Sequence, residues 1–590
     1  MDQNNKQKLL DQFSKLTDQQ QKDTVFFMYE NLPCAIKEKL DRILSAYLKS
    51  QERVQSSTDM DMSGMTQEEV KAQTEEILNT LEKINEEDCT LHGTLEQYYG
   101  YSNYYDYDDY NDYNDYNDDD DENITYEDPE GVIEKISRAI LFANDCFQNG
   151  YYQDALDLYD CLWDLNILLE MDEYDSNLTI DDLVDDKLLI VNMTQMAEQT
   201  LYADYQVRQP DERAENMYRY FVYPAFRDIN VEKALQSGKQ TLKQLDLFWN
   251  DWIFVLTEKE GEMETRLLRE AALSCGGMPF LEKVAEKNYK LHPQLVLDVM
   301  DGYRQNGCYK EMEICGEHAA KQMNPQYCIR SQIIKQTILA CEYQNKKYEE
   351  GAFWQEIFAS DSTIKNLLLF FAADPKRAKE YSVYKRENKL EEYRNNRELS
   401  WNKIDTDKYI PLRLLTGEFD EAATCCKDFK KVVGWSGSFM KKTLALFLLF
   451  LYQGETLRTA TDKLIEEIRF DEEEPQTNLE RQICKESEEK NEKMLWLLLK
   501  KWKTQYPMDS DQMKKHLVWI WQMMDARANE ILRNTYRGKY GETAMYLCAI
   551  GEVEESLGTM NAKLRIQQEY KAKFPRHRAF QSEMTAFCKG

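Results

Sequence analysis

Along most of the chain, apolar residues recur three and four positions apart, the spacing that places them on one face of an α-helix. The pattern is clear in LLDQFSKL, TVFFMYENL and AIKEKLDRILSAYL, which predict an N-terminal helical segment over residues 1–55. It resumes near residue 131 and continues to residue 590, with most glycines and prolines between the periodic segments. Because alternating apolar and polar runs are almost absent, we expect an all-α protein that needs no strands.

Residues 56–96 combine a polar linker with one charged helix. The segment TQEEVKAQTEEILNTLEKINEE begins with Thr66, three residues before Glu69. That spacing is typical of a capping box, in which each side chain accepts a hydrogen bond from the other residue's backbone N–H. We therefore predict a helix that begins after Thr66, and its many charges favour an exposed position.

Residues 97–130 contain the tract YYDYDDYNDYNDYNDDDD, which has no aliphatic side chain. Its carboxylates repel one another, and Asp and Asn compete for backbone hydrogen bonds, so the ordering entropy is not offset by burial. The composition predicts a disordered acidic linker, and we favour a solvated tether between the N-terminal helices and the main body. The alternatives are a ligand for a basic groove, a contact with the chain's own basic part, and a calcium buffer that lacks the usual twelve-residue loop spacing.

A helical hairpin is the clearest local signal, in AILFANDCFQNGYYQDALDLYDCLWDL at residues 139–165. Gly150 ends the first helix in a left-handed turn, and Ala155 allows the second helix to approach closely. The order of glycine, aromatic residue and alanine resembles a tetratricopeptide unit. The pattern predicts an irregular, tetratricopeptide-like α-solenoid of stacked helical hairpins over residues 131–590. Weaker copies begin at Gly307, Lys346, Asn388, Gly417, Gly454 and Gly551.

Two longer pieces resemble the helical-repeat region of bacterial SWIM zinc-finger-associated proteins. One is the acidic connector EMDEYDSNLTIDDLVDDKLLIVNMTQMAEQ that follows the Gly150 hairpin, and the other is the closing stretch from residue 536 to 585. The resemblance implies a helical scaffold. The zinc finger itself needs Cys-x-Cys and Cys-x-His, and the chain contains neither, so a finger could only be encoded separately. In the closing stretch the matching residues are Tyr540, Ala544, Arg565, Lys571, Arg576, Arg578 and Phe580.

Charge is distributed unevenly along the 590 residues, whose formal net charge is −33. This balance makes a phosphate backbone an improbable first partner. From Asn491 onward, however, 17 Lys and Arg face 11 Asp and Glu. We expect solvated helix ends there, and the alternative is a nucleic-acid-associated or defence-type regulator in which the acidic tract acts as an internal phosphate mimic. The candidate basic surface comprises Lys500, Lys501, Lys503, Lys571, Lys573, Arg576 and Arg578.

Sequence motifs for nucleotide binding, metalloprotease chemistry or a hydrolase nucleophile are absent, and only five histidines occur. We therefore predict no catalytic residue and no cofactor. The sequence places Cys425 next to Cys426, and one of the two should be buried because neighbours on a helix point about 100° apart. Two further sets of residues could each form a functional site, but in both sets burial in the core is the favoured interpretation. They are a zinc site at Cys308, Cys315, His318 and Cys328, and a base-stacking platform at Trp496, Trp502, Trp519 and Trp521.

Localisation follows from the cysteines and from the apolar stretches. The fourteen cysteines are scattered through helical segments, as is common in reducing compartments. The longest apolar run, TLALFLLFLY at 443–452, spans about half of the roughly 20 residues a bilayer requires. We expect a cytoplasmic scaffold without a membrane partner, which binds a protein or peptide of unknown identity on a helical-repeat surface.

Overall fold

A computed structural model describes residues 65–86, 89–95, 124–171, 175–325, 327–382, 406–429, 431–435, 438–468 and 474–588. The predicted helices of residues 1–55, most of the acidic tract and the copy at Asn388 lie outside these ranges. The described residues are predominantly helical, which confirms the helical prediction. They divide into two compact units, one ending at Phe280 and the other beginning at Leu281.

Unit 1 combines helices with one small sheet. Two short 3₁₀ helices, Arg219–Val222 and Pro224–Phe226, follow its sixth α-helix. The boundary between the units falls in the first turn of α10. The elements are α1 (Gln67–Asn85), β1 (Leu91–Leu95), β2 (Ile124–Glu127), α2 (Val132–Asn149), α3 (Tyr152–Trp163), β3 (Ile167–Met171), β4 (Ser176–Leu178), α4 (Ile180–Asp185), α5 (Met193–Val207), α6 (Arg213–Tyr218), α7 (Val231–Ala234), α8 (Leu245–Thr257), α9 (Glu262–Gly276) and α10 (Met278–Asn288).

The four-stranded sheet, in the order β2-β1-β3-β4, shows that the expectation of no strands was wrong. Strands β1 and β2 pair antiparallel, β1 and β3 pair parallel, and β3 and β4 pair antiparallel. Each strand has only three to five residues, too few to establish an alternating pattern in the sequence. Gly93 lies in the middle of the sheet, where a Cβ would come within 3.1 Å of Leu169 and 3.2 Å of Ile124.

This sheet corrects the interpretation of the acidic tract as a tether. Leu95 and Ile124 are partners in the antiparallel ladder, so residues 96–123 leave and re-enter unit 1 at the same place. The segment is thus inserted between two paired strands instead of linking separate bodies. The predicted disordered range of 97–130 was also too long, because Ile124–Glu127 form β2 and helix α2 begins at Val132.

Helix α1 begins after Thr66, and the predicted capping box is confirmed. The Glu69 backbone donates to Thr66 Oγ1, and the Thr66 backbone donates to Glu69 Oε2 at 2.8 Å. The expected exposed position was wrong, because Val70, Leu81 and Ile84 are fully buried and α1 packs on α2 and α3. A helix rich in charge still buries its one apolar stripe.

The hairpin of α2 and α3 confirms the prediction at Gly150. This glycine has φ +85° and ends α2, and its neighbour Tyr151 donates from its backbone to Cys146. Ala155 is fully buried between the helices. Helix α3 then packs on α5, which joins the hairpin to the rest of unit 1.

Unit 2 is helical throughout its described residues. A further helix begins at residue 375 and reaches the edge of a described range at 382, and Arg537–Lys539 form a 3₁₀ turn. None of the helices in the described ranges combines the length and apolar character that a bilayer crossing requires. The helices are α11 (Gln294–Gln305), α12 (Tyr309–Gln322), α13 (Cys328–Tyr343), α14 (Glu350–Ser360), α15 (Ile364–Ala373), α16 (Thr406–Leu415), α17 (Phe419–Asp428), α18 (Phe439–Leu451), α19 (Thr459–Ile468), α20 (Asn478–Lys490), α21 (Met494–Lys503), α22 (Ser510–Arg533), α23 (Tyr540–Ser556), α24 (Ala562–Lys573) and α25 (Arg578–Cys588).

Two of the weaker hairpin copies form left-handed turns between helices. Gly307, at φ +70°, separates α11 from α12, and Gly417, at φ +89°, separates α16 from α17. The prediction of a hairpin turn at Gly551 was wrong, because this residue lies inside α23. A Cβ at Gly551 would come within 2.6 Å of Lys563 Cα, so this glycine permits close packing of α23 against α24 instead of a turn.

Helix α18 is the centre of unit 2. It contains the longest apolar run of the chain, and eleven of its thirteen residues are buried. A helix that is apolar all round must be enclosed on every side. It contacts six other helices, namely α16, α17, α19, α21, α22 and α23.

A buried carboxylate joins four helices of unit 2. Glu552, on α23, is fully buried and accepts hydrogen bonds from the backbone N–H groups of Ala460 at 3.1 Å and Thr461 at 2.8 Å, in the first turn of α19. Lys563 Nζ, on α24, lies 3.0 Å from Glu552 Oε1 and also donates to the Phe587 carbonyl on α25. The negative charge is favourable at the N-terminus of α19, where backbone N–H groups have no helical partner.

Substitution of Glu552 by Gln should destabilise unit 2 strongly. The change removes the negative charge that Lys563 Nζ faces at 3.0 Å in the interior, a loss of roughly 3–5 kcal/mol. The free energy of unfolding in urea measures it. Glu554→Gln is the matched control, because Glu554 pairs with the exposed Arg565 and a surface pair contributes about 0–1 kcal/mol. Equal effects of the two variants would contradict the anchoring role of Glu552.

Candidate functional site

The first basic cluster, predicted as part of a binding surface, is occupied by contacts within unit 2. Lys500 Nζ lies 2.6 Å from Glu492, and Lys501 Nζ lies 2.6 Å from Glu486. Lys503 is largely buried, and it donates to the carbonyl oxygens of Leu449, at 3.3 Å, and Tyr452. These lysines lie in the last turn of α21, as predicted for helix ends, but they are paired within unit 2 instead of being solvated.

The second basic cluster lies on the surface around the turn from α24 to α25. Lys571, Arg576 and Arg578 are exposed. Lys573 is exposed too, but its Nζ lies 3.2 Å from Asp525. The two predicted clusters therefore differ. The lysines of the first are paired within unit 2, whereas the second presents its charges to solvent.

Lys503 closes the C-terminal end of α18. The last carbonyl groups of a helix have no helical donor, and a cation there interacts favourably with the helix dipole. Burial, together with the nearby charge of Lys500, lowers the pKa of Lys503 to about 8. The amine can still donate to the two carbonyls after it loses its proton.

The titration of Lys503 should make unit 2 more stable as pH rises from about 8 to about 10.5. In this window the unfolded chain still binds the proton that the folded chain has released, so stability increases with pH by up to roughly 3 kcal/mol. Lys503→Met keeps the length of the side chain and should remove this increment. Unfolding free energies at several pH values measure the difference between the two proteins. Lys571→Met, at an exposed lysine, should leave the pH profile unchanged.

The tryptophans and cysteines singled out in the sequence are mostly core residues. Trp496, Trp502 and Trp519 are buried, with Trp521 packed against the same cluster, which confirms the core interpretation. Cys426 is buried while Cys425 is partly exposed, also as expected.

The four residues weighed as a zinc site do not form one cluster. Burial raises the pKa of Cys315 to about 12. His318 lies on the surface, where its Nε2 is 2.6 Å from the Gln322 side chain, and Cys328 is exposed as well. In the part of the chain that the structure describes, no group of three or more His, Cys, Asp or Glu side chains could hold a metal ion.

A cleft of about 380 Å³ in unit 1 is the site with the most distinct geometry. It lies between α7, α8, the end of α9 and the first turn of α10. Leu235 and Trp249 are buried in its floor, and Phe280 closes one side. The remaining lining residues are Glu232, Gln236, Leu242, Leu245, Asp246, Asn250, Ser274 and Cys275.

One wall of the cleft is a loop, residues 235–244, which side chains of α5 and α6 hold in place. Tyr202 donates its hydroxyl to the Gln240 carbonyl at 2.6 Å and accepts from the Gln240 backbone at 3.0 Å. Tyr205 and Arg213 both donate to the Lys243 carbonyl, at 2.8 and 3.1 Å. The loop also needs Gly238, where a Cβ would lie 2.2 Å from the Tyr202 ring.

The rim of the cleft is acidic. Glu232 and Asp246 both line the cleft and are exposed, and Glu232 Oε2 accepts a hydrogen bond of 2.6 Å from Ser274. Burial, together with the Asp246 charge, raises the pKa of Cys275. Of the described residues that line the cleft, none is Lys or Arg. An apolar floor with two carboxylates suits a ligand that has both an aliphatic part and a positive charge.

A cluster of charged side chains in unit 1 has a structural role. Asp204 is fully buried and accepts from Arg208 Nε at 3.1 Å, and Tyr220 donates to Asp160 at 2.5 Å. Burial raises the pKa of Asp204 to about 6, although Arg208 opposes the shift. The cluster ties α3 to α5 and the 3₁₀ turn, while Asp204 Oδ2 stays buried without a hydrogen-bond partner.

Sequence reasoning missed the cleft entirely. Its lining residues come from four helices and a loop spread over residues 232–280, and they match no motif. The glycine at position 238 and the aromatic residues of α5 were available as signals. These residues indicate a cleft only when the tertiary structure is known, because it places the loop against Tyr202.

Comparison of the chain with protein-family models, with curated proteins and with solved structures gives no match in any of the three.

Substitution of Tyr202 by Phe should loosen the loop and lower the stability of unit 1. Removing the hydroxyl leaves the carbonyl and N–H of Gln240 without this partner, a cost of about 1–3 kcal/mol. Hydrogen exchange at the Gln240 amide should become faster, and urea unfolding gives the free energy. Tyr343→Phe, at a half-exposed tyrosine of unit 2, is the control. An unchanged rate of hydrogen exchange at Gln240 in the Tyr202 variant would contradict the conclusion that Tyr202 holds the loop in place.

Proposed function

We propose that this chain is a non-enzymatic scaffold of stacked, tetratricopeptide-like helical hairpins that binds a protein or peptide. The packing of α11 to α15 supports the repeat, because each helix packs on the next one in sequence. Such stacking leaves side chains on a continuous surface available for a partner. The enclosure of α18 by six helices departs from a simple stack, so the repeat character applies best to residues 294–373.

The cleft of unit 1 is the observation that carries the proposal. Its apolar floor is formed by Leu235 and Trp249, and its rim carries Glu232 and Asp246. A buried aromatic side chain in a pocket, surrounded by polar groups, is the usual composition of an interaction hot spot. We infer a partner segment that inserts a Lys or Arg side chain, with its methylene groups against Trp249 and its charge between the two carboxylates.

The nucleic-acid alternative receives less support. Lys500, Lys501 and Lys503 are engaged with carboxylates and carbonyls inside unit 2. The exposed cations that remain from the predicted surface are too few for the counterion release that drives such binding. A cytoplasmic setting, which the scattered cysteines favour, is part of the proposal.

Panning of a phage-displayed library of random peptides tests the function. We expect the full chain to enrich peptides in which Lys or Arg stands beside an aliphatic residue. The double variant Glu232→Gln/Asp246→Asn should bind the best peptide about 10-fold more weakly, or about 1.4 kcal/mol. Binding to the wild-type chain should also weaken as salt rises, since the contact is between opposite charges.

A matched control removes the same two charges elsewhere on unit 1. Asp211 and Glu215 are exposed and lie outside the cleft. The variant Asp211→Asn/Glu215→Gln should bind the selected peptide as the wild type does. Equal losses in both double variants, or enrichment of peptides without a cation, would contradict the assignment of the cleft.

A further inference from the structure

Two thiols of unit 2 lie next to each other on different helices. Cys548 is fully buried in the middle of α23, and Cys588 is partly exposed at the end of α25. Their Sγ atoms are 3.9 Å apart. The two residues are 40 positions apart in sequence, so packing of α25 on α23 brings them together.

The packing that holds the two sulfurs close is specific. Phe580 and Met584 bury the inner face of α25, and Cys548 Sγ lies 3.8 Å from Met584 Sδ. Lys563 Nζ donates to the carbonyl of Phe587, directly before Cys588 in sequence. This contact places a positive charge beside the last turn of α25.

The surroundings also distinguish the two thiols chemically. The pKa of Cys588 lies below its usual value, because of its hydrogen bond with the Cys548 thiol and the nearby Lys563 ammonium. Cys548, in contrast, is held in its protonated form by the same hydrogen bond and by burial. The pair therefore combines a partly exposed thiol whose ionisation is favoured with a buried, protonated thiol in reach.

We propose that Cys548 and Cys588 form a reversible disulfide when the protein meets a hydroperoxide. The Cys588 thiolate attacks the peroxide oxygen, the O–O bond breaks, and Cys588 becomes a sulfenic acid while hydroxide leaves. The Cys548 sulfur then attacks the Cys588 sulfur, the S–O bond breaks, and the released oxygen leaves as water with the Cys548 proton. In sum, two thiols and one hydrogen peroxide give one disulfide and two waters.

The bond would join α25 covalently to α23. Formation requires the sulfurs to approach from 3.9 Å to about 2.05 Å, a movement that the end of a helix can supply more readily than the centre of one. Closing the loop between residues 548 and 588 restricts the unfolded chain and should stabilise unit 2. The exposed cations Arg576 and Arg578 lie inside this closed loop, so oxidation also restricts the surface that carries them.

Peptide mapping of the intact chain after hydrogen peroxide treatment tests the proposal. After alkylation and digestion without reductant, we expect one linked pair of peptides containing Cys548 and Cys588, with a mass lower by two hydrogens than the separate peptides. Dithiothreitol should restore two alkylated thiols. The midpoint of thermal unfolding should rise by a few degrees on oxidation and return on reduction.

Two variants distinguish disulfide formation by this pair from general oxidation of the cysteines. Cys588→Ser should abolish the linked peptides and the thermal shift, and it changes a partly exposed residue in the last turn of α25. Cys425→Ser, at another partly exposed thiol of unit 2, should leave both signals intact. The proposal is overturned if Cys548 and Cys588 remain separately alkylated in the folded, peroxide-treated wild type. Oxidation of Cys588 to a sulfinic acid without linkage would overturn it equally.

Discussion

Burial of apolar helix faces against other helices is the constraint on which the rest of this structure depends. Helix α18 is almost entirely apolar after Lys442, so water must be excluded from most of its surface, and six helices pack around it. From α11 to α14 each helix is covered mainly by its neighbours in sequence, whereas α15, with residues 367–371 all buried, also packs on α21. The two packing modes within unit 2 therefore follow from how much of each helix surface is apolar.

Polar groups at helix ends then select one arrangement among the many that burial alone would allow. Glu552 fixes the N-terminus of α19, and Lys503 fixes the C-terminus of α18. Each of these two side chains places an ionisable group away from bulk water. Its position is sharply defined, because leaving the charged group there without a partner would cost free energy. Tyr202 has the same role for an irregular loop, and the candidate cleft exists because that loop is held away from α8 and α9.

The small sheet changes the role of the acidic tract. Because β1 and β2 are antiparallel partners, the tract begins and ends at one edge of unit 1, and helix α1 becomes part of the same core as α2 and α3. Charge density in the sequence correctly marked a segment that offers no aliphatic core, but it carried no information about where the ends of that segment meet. Strand pairing between residues about 30 positions apart is a tertiary contact, and local composition does not encode it.

The sequence by itself determined the helical class, the capping box at Thr66, the turn at Gly150 and the burial of three tryptophans. Each of these depends on interactions within a few residues or on the apolar character of a single side chain. Tertiary structure alone decided that Gly551 lies inside a helix, that Lys503 faces backbone carbonyls instead of solvent, and that residues from 232 to 280 enclose a cleft. A lysine in a basic run looks the same in sequence whether its ammonium meets water or a helix end. Only the packing of α21 against α18 distinguishes the two, because it determines which groups surround the side chain.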